Sequence, residues 1–506
     1  MEFIYCIKIS LFPPSGMCFL LWANWQVFNR IMKFITTLIH VVFIIGITSC
    51  KKEISNRPNL VLIVADDLGW KDVGFMGSDY YETPNLDRLA GEGMVFSQAY
   101  ASAANCAPSR ACLMSGRYTP VHGIYTVGSS ERGSSKTRRI IPAKNQEVLA
   151  DRFYTLAEAL SDAGYTTCNI GKWHLGIDPL TQGMDYNVGG GNWGHPNSYF
   201  APYKQPDLKA PEGEYLTDRL TEEALKFIRE NQADPFFLYL PYYAVHTPIQ
   251  AKEAFENKYL EKGGSGCQSN AAYAGMVDNM DRCIGLIMNE ISKLGLDRNT
   301  LVIFTSDNGG IREVSCQDPL RAGKGSYYEG GIRVPLVVRW PGKIKPQSQS
   351  EEPVINIDFY PTLMDITGGS GAEGELDGVS LWPLLSGRTG SLPERPLYFH
   401  FPIYLQAYKA GYDGGRDPLF RTRPGSVIRV GEWKLHYYYE DGGIELYNLA
   451  EDPGEVNDLS DINDYKTDEL LEILKAWLEE RDAPVEFATN PEFDRGFELR
   501  KIGETE

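Results

Sequence analysis

Asn59-Leu-Val-Leu-Ile-Val-Ala-Asp66-Asp67 is an unbroken apolar run closed by two carboxylates. Such a run reads as a strand buried on both faces, because a half-exposed strand alternates apolar with polar residues. From Asn59 onward, short apolar strands alternate with amphipathic helices, the pattern of a mostly parallel sheet covered on both faces. Thr83-Pro84 opens a helix with a cap followed by proline, and Gly91 and Gly93 end it. A second helix begins at Cys106, with Pro108 in its first turn. Residues 155–163, 217–231 and about 270–294 read as further helices, and 165–170, 235–240 and 300–305 as strands.

The polar residues fall where these strands end. Asp66 and Asp67, Lys172 and His174, His246, and Asp307 and Asn308 each follow the carboxyl end of an expected strand. In open parallel sheets that edge is where ligands bind. Separate segments thus deliver charged or chelating groups to one rim.

After Leu385 the composition shifts to loops rich in Gly, Arg and Pro, then to strands at 426–430, 433–439 and 444–449 and a helix from about 467 to 481. The expected organisation is α/β: a main domain at 55–385, and at 386–500 a smaller subdomain with an antiparallel sheet and one helix. Tyr437, Tyr438 and Tyr439 read as strand packing rather than a ligand platform.

Residues 1–49 read as an N-terminal extension followed by an export signal. Met32-Lys33 makes a basic start, residues 34–48 an apolar run, and Ile47-Thr48-Ser49-Cys50 resembles a bacterial lipoprotein cleavage box that would place a lipid on Cys50. The expected location is the periplasm or outer membrane of a Gram-negative bacterium, with membrane contact only through that lipid. A formal charge of −18 argues against nucleic acid as a partner. It also requires an enzyme of anionic substrates to gather cations locally. The other cysteines lack metal or disulfide-framework spacing, although an oxidising compartment permits a bridge such as Cys267 to Cys316.

Cys106-Ala107-Pro108-Ser109-Arg110, with Leu113 and Ser115-Gly116-Arg117 behind it, is a far more specific string than a helix start requires. It resembles the signature of the type I formylglycine-dependent sulfatases, in which a maturation enzyme converts the cysteine to formylglycine. Gly171-Lys172-Trp173-His174-Leu175-Gly176, His246-Thr247-Pro248, Gly323-Lys324-Gly325 and the later Trp433-Lys434-Leu435 and Glu445-Leu446-Tyr447-Asn448-Leu449 stretches extend the resemblance over almost the whole chain after the export segment. It implies an alkaline-phosphatase-like fold and hydrolysis of a sulfate ester. It also implies a partner that matures Cys106, either a formylglycine-generating enzyme or an anaerobic sulfatase-maturating enzyme. A hydrated aldehyde carries two hydroxyls on one carbon: one attacks sulfur, and the other loses its proton as sulfate is expelled.

Asp66, Asp67, Asp307 and Asn308 offer only oxygen ligands, the preference of a hard cation. One calcium ion fits best, with magnesium sharing the ligand type; modified Cys106 would join the coordination. An aspartate pair can also cap a helix, and Asp307-Asn308-Gly309-Gly310 is a common turn, so it is the combination that carries the reading. By resemblance, Lys172 holds the nucleophile and sulfate, His174 contacts the second hydroxyl, His246 and Lys324 bind sulfate and protonate the departing alcohol, and Arg110 holds the nucleophile region. His122 reads as structural, and His400 and His436 receive no role.

There are two rivals: the nearest enzymatic one, a phosphatase or phosphodiesterase of the same fold, and one from another class, a sulfoglycan-binding protein with an unconverted cysteine. The expected substrate is a sulfated carbohydrate, galactose or N-acetylgalactosamine sulfate by first choice. Asp185, Asn192, Trp193 and His195, in the Gly-rich loop after the lysine-histidine segment, are candidates to line the sugar site; an ordinary surface loop is the competing reading.

Overall fold

The opening apolar run becomes β1 (Asn59–Ala65), buried along its whole length. The structure, a computed structural model, describes residues 57–372 and 376–505 together with Trp25, Val27, Phe28, Arg30 and Met32. The export signal and Cys50 lie outside the described residues. No helix among those described is long and apolar enough to cross a membrane. Residues from Arg57 onward make one compact unit.

Eight further strands join β1: β2 (Met94–Tyr100), β3 (Thr166–Ile170), β4 (Tyr186–Val188), β5 (Phe236–Pro241), β6 (Thr300–Ser306), β7 (Arg333–Arg339), β8 (Ser348–Ser350) and β9 (Val354–Ile355). They lie in the order β4-β3-β5-β1-β6-β7-β2-β8, with β9 also on β2. β1 pairs parallel with β5 and β6, placing Leu60 beside Phe237 and Leu301. Only β7 runs against its neighbours. From Leu60 onward β1 is apolar because its alternate side chains enter two different cores. Val61, Ile63 and Ala65 meet α1 (Pro84–Gly91) and the long helix Ala271–Lys293 on one face. Leu60, Leu62 and Val64 meet α2 (Cys106–Ser115) and Phe359–Thr367 on the other. Burial stabilises each larger side chain by about 1.5–3 kcal/mol.

Several expected boundaries hold for stated reasons. Thr155 caps the helix Leu156–Asp162 through a capping box with Glu158, and Asn270 caps Ala271–Lys293 by accepting from the Tyr273 N–H. Thr83 precedes Pro84 as expected, but its hydroxyl is not a helix cap: it accepts from the Gly74 N–H at 2.8 Å. β2 and β7 went unread because a register shift between Phe96 and Ala99 breaks the alternation of β2. That irregularity falls opposite Pro335, where the ladder can lack an N–H. The bridge between Cys267 and Cys316 is present.

The second sheet contains one strand more than expected. β10 (Leu397–Phe401) pairs with β13 (Gly425–Val430), followed by β14 (Trp433–Tyr438) and β15 (Ile444–Asn448), all antiparallel. A small ribbon, β11 (Leu405–Gln406) with β12 (Phe420–Thr422), lies between β10 and β13 in sequence. The final large helix, Asp464–Glu480, starts earlier than expected because Asn463 caps it. This subdomain shares a core with the main one: Tyr100, Cys112 and Tyr118 belong to the same buried cluster as Phe399, Leu435 and Trp477.

Candidate active site

The backbone turns sharply just past β1, and Asp67 adopts a left-handed conformation (φ 60°), which aspartate tolerates better than most residues. Asp66 is tied to the segment after β5: its N–H donates to Ala244 O at 2.9 Å, and its carbonyl accepts from Val245 N–H at 2.8 Å. The Asp67 N–H donates to Asp307 Oδ1 at 3.2 Å, joining the ends of β1 and β6. Past β3, Gly171 is required by close approach, since a Cβ there would sit 2.0 Å from Pro241 O. These junctions bring the expected rim residues together.

Cys106 begins α2, where the helix N-terminus favours negative charge. Its sulfur lies 3.5 Å from Asp66 Oδ1, 3.8 Å from Asp67 Oδ1 and 3.3 Å from Lys324 Nζ. Lys172 Nζ donates to Asp66 at 2.7 Å, and Lys324 Nζ to Asp67 at 2.7 Å. Arg110 grips Asp307 Oδ2 with Nε at 2.9 Å and Nη2 at 2.8 Å, while its Nη1 donates to Lys172 O at 2.9 Å. Burial pushes the Asp66 carboxyl well above its usual range despite Lys172. Burial acts on Asp67 in the same direction, but Lys324, His246 and Lys172 outweigh it and hold that carboxylate down. Asp307 is likewise held down, burial being outweighed by Arg110 and Lys172.

Asn308 Nδ2 donates to Asp67 Oδ1 at 2.8 Å, whereas its Oδ1 is buried with no hydrogen-bond partner among the described residues. An orphaned amide oxygen beside three carboxylates is a donor set suited to a hard cation. Asp66, Asp67, Cys106 and His246 each place one potential ligand atom within 4.8 Å of the others. The residues therefore fit the implied metal.

His246 Nδ1 lies 2.7 Å from Thr247 O, which can only accept, so Nδ1 carries the proton and Nε2 faces Asp67 at 3.4 Å. Burial and Lys324 push this imidazole down. His174 adopts φ 65°, and its N–H donates to Gly191 O at 2.9 Å. Burial, then the charges of Lys172, Arg110 and Lys324, push its imidazole well down, and its buried Nδ1 has no partner among the described residues.

The loop candidates divide. His195 stacks on His246 with ring centres 5.7 Å apart and planes 8° apart, and Trp193 Nε1 donates to the Tyr243 hydroxyl. Asn192 is exposed on the same loop. Asp185 needs correction: its carboxylate accepts from the Thr167 N–H at 2.8 Å and hydroxyl at 3.0 Å, at the amino end of β3 and away from the rim that follows Ile170. It pins a sheet edge. Sequence reasoning missed Arg421, which the fold draws onto the Lys324 carbonyl, with Tyr408 stacked on it and Arg132 near it; no spacing in the chain links them. His122 is structural: Nδ1 accepts from the Ile124 N–H at 3.1 Å, and Nε2 lies 3.3 Å from Cys112 Sγ.

The chain is similar to known proteins along most of its length. The sulfatase family model matches residues 58–369, and a model described as N-sulphoglucosamine sulphohydrolase, C-terminal, matches 323–483. A sulfatase of Formosa agariphila is 34% identical over 86% of this chain and 91% of its own. N-acetylgalactosamine-6-sulfatase of Canis lupus familiaris is 31% identical over 83% of this chain and 84% of its own. The crystal structure of Ps i-CgsB in complex with k-i-k-neocarrahexaose superposes with a TM-score of 0.69 at 31% identity, covering 88% of this chain and 98% of that one. Because the match runs through the central sheet and on into the second, the chain belongs to the sulfatase family and is a sulfuric ester hydrolase of alkaline-phosphatase-like fold.

Proposed function

We propose that this sulfatase removes sulfate from a sulfated glycan through a formylglycine derived from Cys106, with one calcium ion in the site. The observation that carries the reading is the meeting of Cys106 Sγ, at the head of α2, with Lys324 at 3.3 Å and the Asp66 carboxylate at 3.5 Å, beside the orphaned Asn308 Oδ1. Asp66, Asp67, Asp307 and Asn308 would hold the ion, with the modified Cys106 as a further ligand. When bound, a divalent cation supplies Lewis acidity that favours a deprotonated nucleophile.

The chain's own residues do the rest. In the ionised form that a bound dication would favour, the carboxylates of Asp66, Asp67 and Asp307 are balanced by Lys172, Lys324 and Arg110, so the added charge would leave a positive site for an anionic ester inside an acidic protein. Lys172 orients the nucleophile and the sulfate; Arg110 fixes Asp307 and the Lys172 backbone. His174 takes the proton of the second hydroxyl during collapse. Lys324 binds sulfate and protonates the departing alcohol, and His246 shares that role once its Nε2 has taken up a proton beside Asp67.

Galactose or N-acetylgalactosamine sulfate remains the first choice of substrate, supported by relatives named for N-acetylgalactosamine 6-sulfate and by a structural neighbour holding a neocarrahexaose. Asn192, Trp193 and His195 would face the sugar. The maturation enzyme is a required partner, and export as a lipoprotein through Cys50 is the proposed location. The test is sulfate release from singly sulfated sugars with a matched phosphate panel, using protein whose Cys106 is shown by peptide mass to be converted. Release from one sugar and position supports the proposal. Comparable turnover of phosphates, or silence after conversion on monosaccharides and longer glycans alike, refutes it.

A further inference from the structure

Beside Lys324 lies a group of guanidinium ions that the mechanism above does not use. Arg421, on β12 of the second subdomain, donates from Nη1 to Lys324 O at 3.1 Å and from Nε to Gln406 O at 3.0 Å. Its Cζ stacks 3.5 Å from the centre of the Tyr408 ring. Gly325 permits this: a Cβ there would lie 2.8 Å from Arg421 Nη1. Arg421 thus rests on the backbone of the lysine that contacts Cys106.

Arg132 approaches from the other side. Asn105, immediately before Cys106, donates from Nδ2 to Thr126 Oγ1 at 3.2 Å, and Arg132 donates to the carbonyl of the next residue, Val127. Gly133 packs on Phe420, next to Arg421, where an added Cβ would meet the ring at 2.8 Å. Burial, then the Arg421 charge, push the Arg132 guanidinium down, while Tyr408 and Cys106 act against them. Arg312 adds a third guanidinium, with Nη1 3.5 Å from the Cβ position of Gly414. Among the described residues, the hydrogen bonds of Arg132 and Arg421 go to backbone carbonyls, not to carboxylates. An acid also faces the group: Asp413 accepts from the Tyr408 N–H, and burial pushes its carboxyl up against the charges of Arg421 and Arg312.

Buried or half-buried arginines that hydrogen-bond to no carboxylate are costly in isolation and useful where a ligand brings negative charge. The geometry points to an anion subsite formed by Arg132 and Arg421, with Arg312 beside them, that takes a second negative group of the substrate. That group is a sulfate ester or a carboxylate on the sugar bearing the scissile sulfate or on its neighbour. The preferred substrate is then a glycan with at least two anionic groups close together. This inference rests on the glycan sulfatase reading.

The test uses calcium-loaded enzyme with Cys106 converted and three galactose-based disaccharides: one singly sulfated and otherwise neutral, one with a second sulfate, and one with a uronate beside the sulfated sugar. Wild type should favour at least one dianion by about tenfold in kcat/KM, mainly through KM, and the favoured arm identifies the anion. Arg132→Gln should reduce that preference to about twofold or less, Arg132→Lys should keep part of it, and added salt should weaken it in wild type. Equal loss on all three substrates in Arg132→Gln, or release by wild type without any dianion preference, would overturn the subsite alone. Silence of wild type on all three and on longer glycans would overturn the glycan reading and the subsite with it.

Discussion

Lys324 Nζ sits 2.7 Å from the Asp67 carboxylate, and both side chains are buried at the point where the Cys106 sulfur enters the site. A lysine so placed is both a counter-ion and a donor, because Asp67 holds the ammonium charged and raises it well above its usual range against the effect of burial. Lys324→Met should therefore lower kcat/KM for a sulfate ester by roughly 10²–10⁴-fold. Steady-state kinetics on enzyme with verified Cys106 conversion checks this; a loss under fivefold would remove Lys324 from the chemistry.

Metal removal tests the orphaned amide oxygen of Asn308. A chelator should abolish activity and lower the melting temperature, and calcium should restore both. Ligand at 100 times its Kd stabilises by about 2.7 kcal/mol. Asn308→Ala should need a higher calcium concentration for the same thermal shift, read by differential scanning fluorimetry without any substrate.

The two subdomains are joined by a fully buried ion network. Lys434 Nζ lies 2.9 Å from Glu329 Oε1 and 2.8 Å from Glu455 Oε1, and His436 Nε2 lies 3.2 Å from the same Glu455 oxygen. Tyr100 donates to Glu329 Oε2 at 2.7 Å. Burial raises the Glu329 carboxyl, but Lys434, Arg333 and Arg429 overcome that and bring it down to about 2. Lys434→Met leaves two buried carboxylates short of a cation and should cost about 3–5 kcal/mol in urea unfolding.

Acid should destabilise the fold through two histidines buried in neutral form. Burial, then Arg117, pushes His122 down to about 3, and burial does the same to His400. Each binds a proton more readily when unfolded, so its contribution is complete above pH 6.5 and is lost progressively as pH falls toward 3. The slope is at most about 1.4 kcal/mol per pH unit for each. His400→Gln should show a shallower loss of stability between pH 6 and pH 4, values chosen at about the middle of that window, in denaturant melts.

Asp185 and His195 provide a paired control on the sugar loop. Asp185→Asn should lower stability by about 1 kcal/mol through its bonds to Thr167 and leave sugar preference intact. His195→Ala removes the ring stacked on His246 and should change the ranking of sugars in a release panel. An unchanged ranking would reject the loop assignment.

Much of the candidate rim was readable in one dimension because each part of it is a local event. An apolar run such as β1 must be a strand buried on both faces, and the polar residue that ends it must emerge at the sheet edge; Asp66, Lys172 and Asp307 obey that rule, and His246 follows β5 after the segment 242–245 that is tied to Asp66. The string from Cys106 to Arg110 is likewise contiguous, so its place at the head of a buried helix follows from its own residues. Asp185 shows the limit of such reasoning. It lies close in sequence to Trp193 yet at the far end of β3, because a strand carries its two ends to opposite edges of the sheet.

Only the tertiary structure could decide which distant charges meet. Arg132 and Arg421 carry no periodicity or spacing that relates one to the other, and Arg421 reaches the site because the β11–β12 ribbon rests on the Lys324-Gly325 backbone. Lys434 reads as an ordinary strand residue until Glu329 and Glu455 close on it. Local pattern determines which face of an element is buried, since that depends on residues a few positions apart. The pairing of buried charges depends on how whole elements pack, and that is set by the three-dimensional core they share.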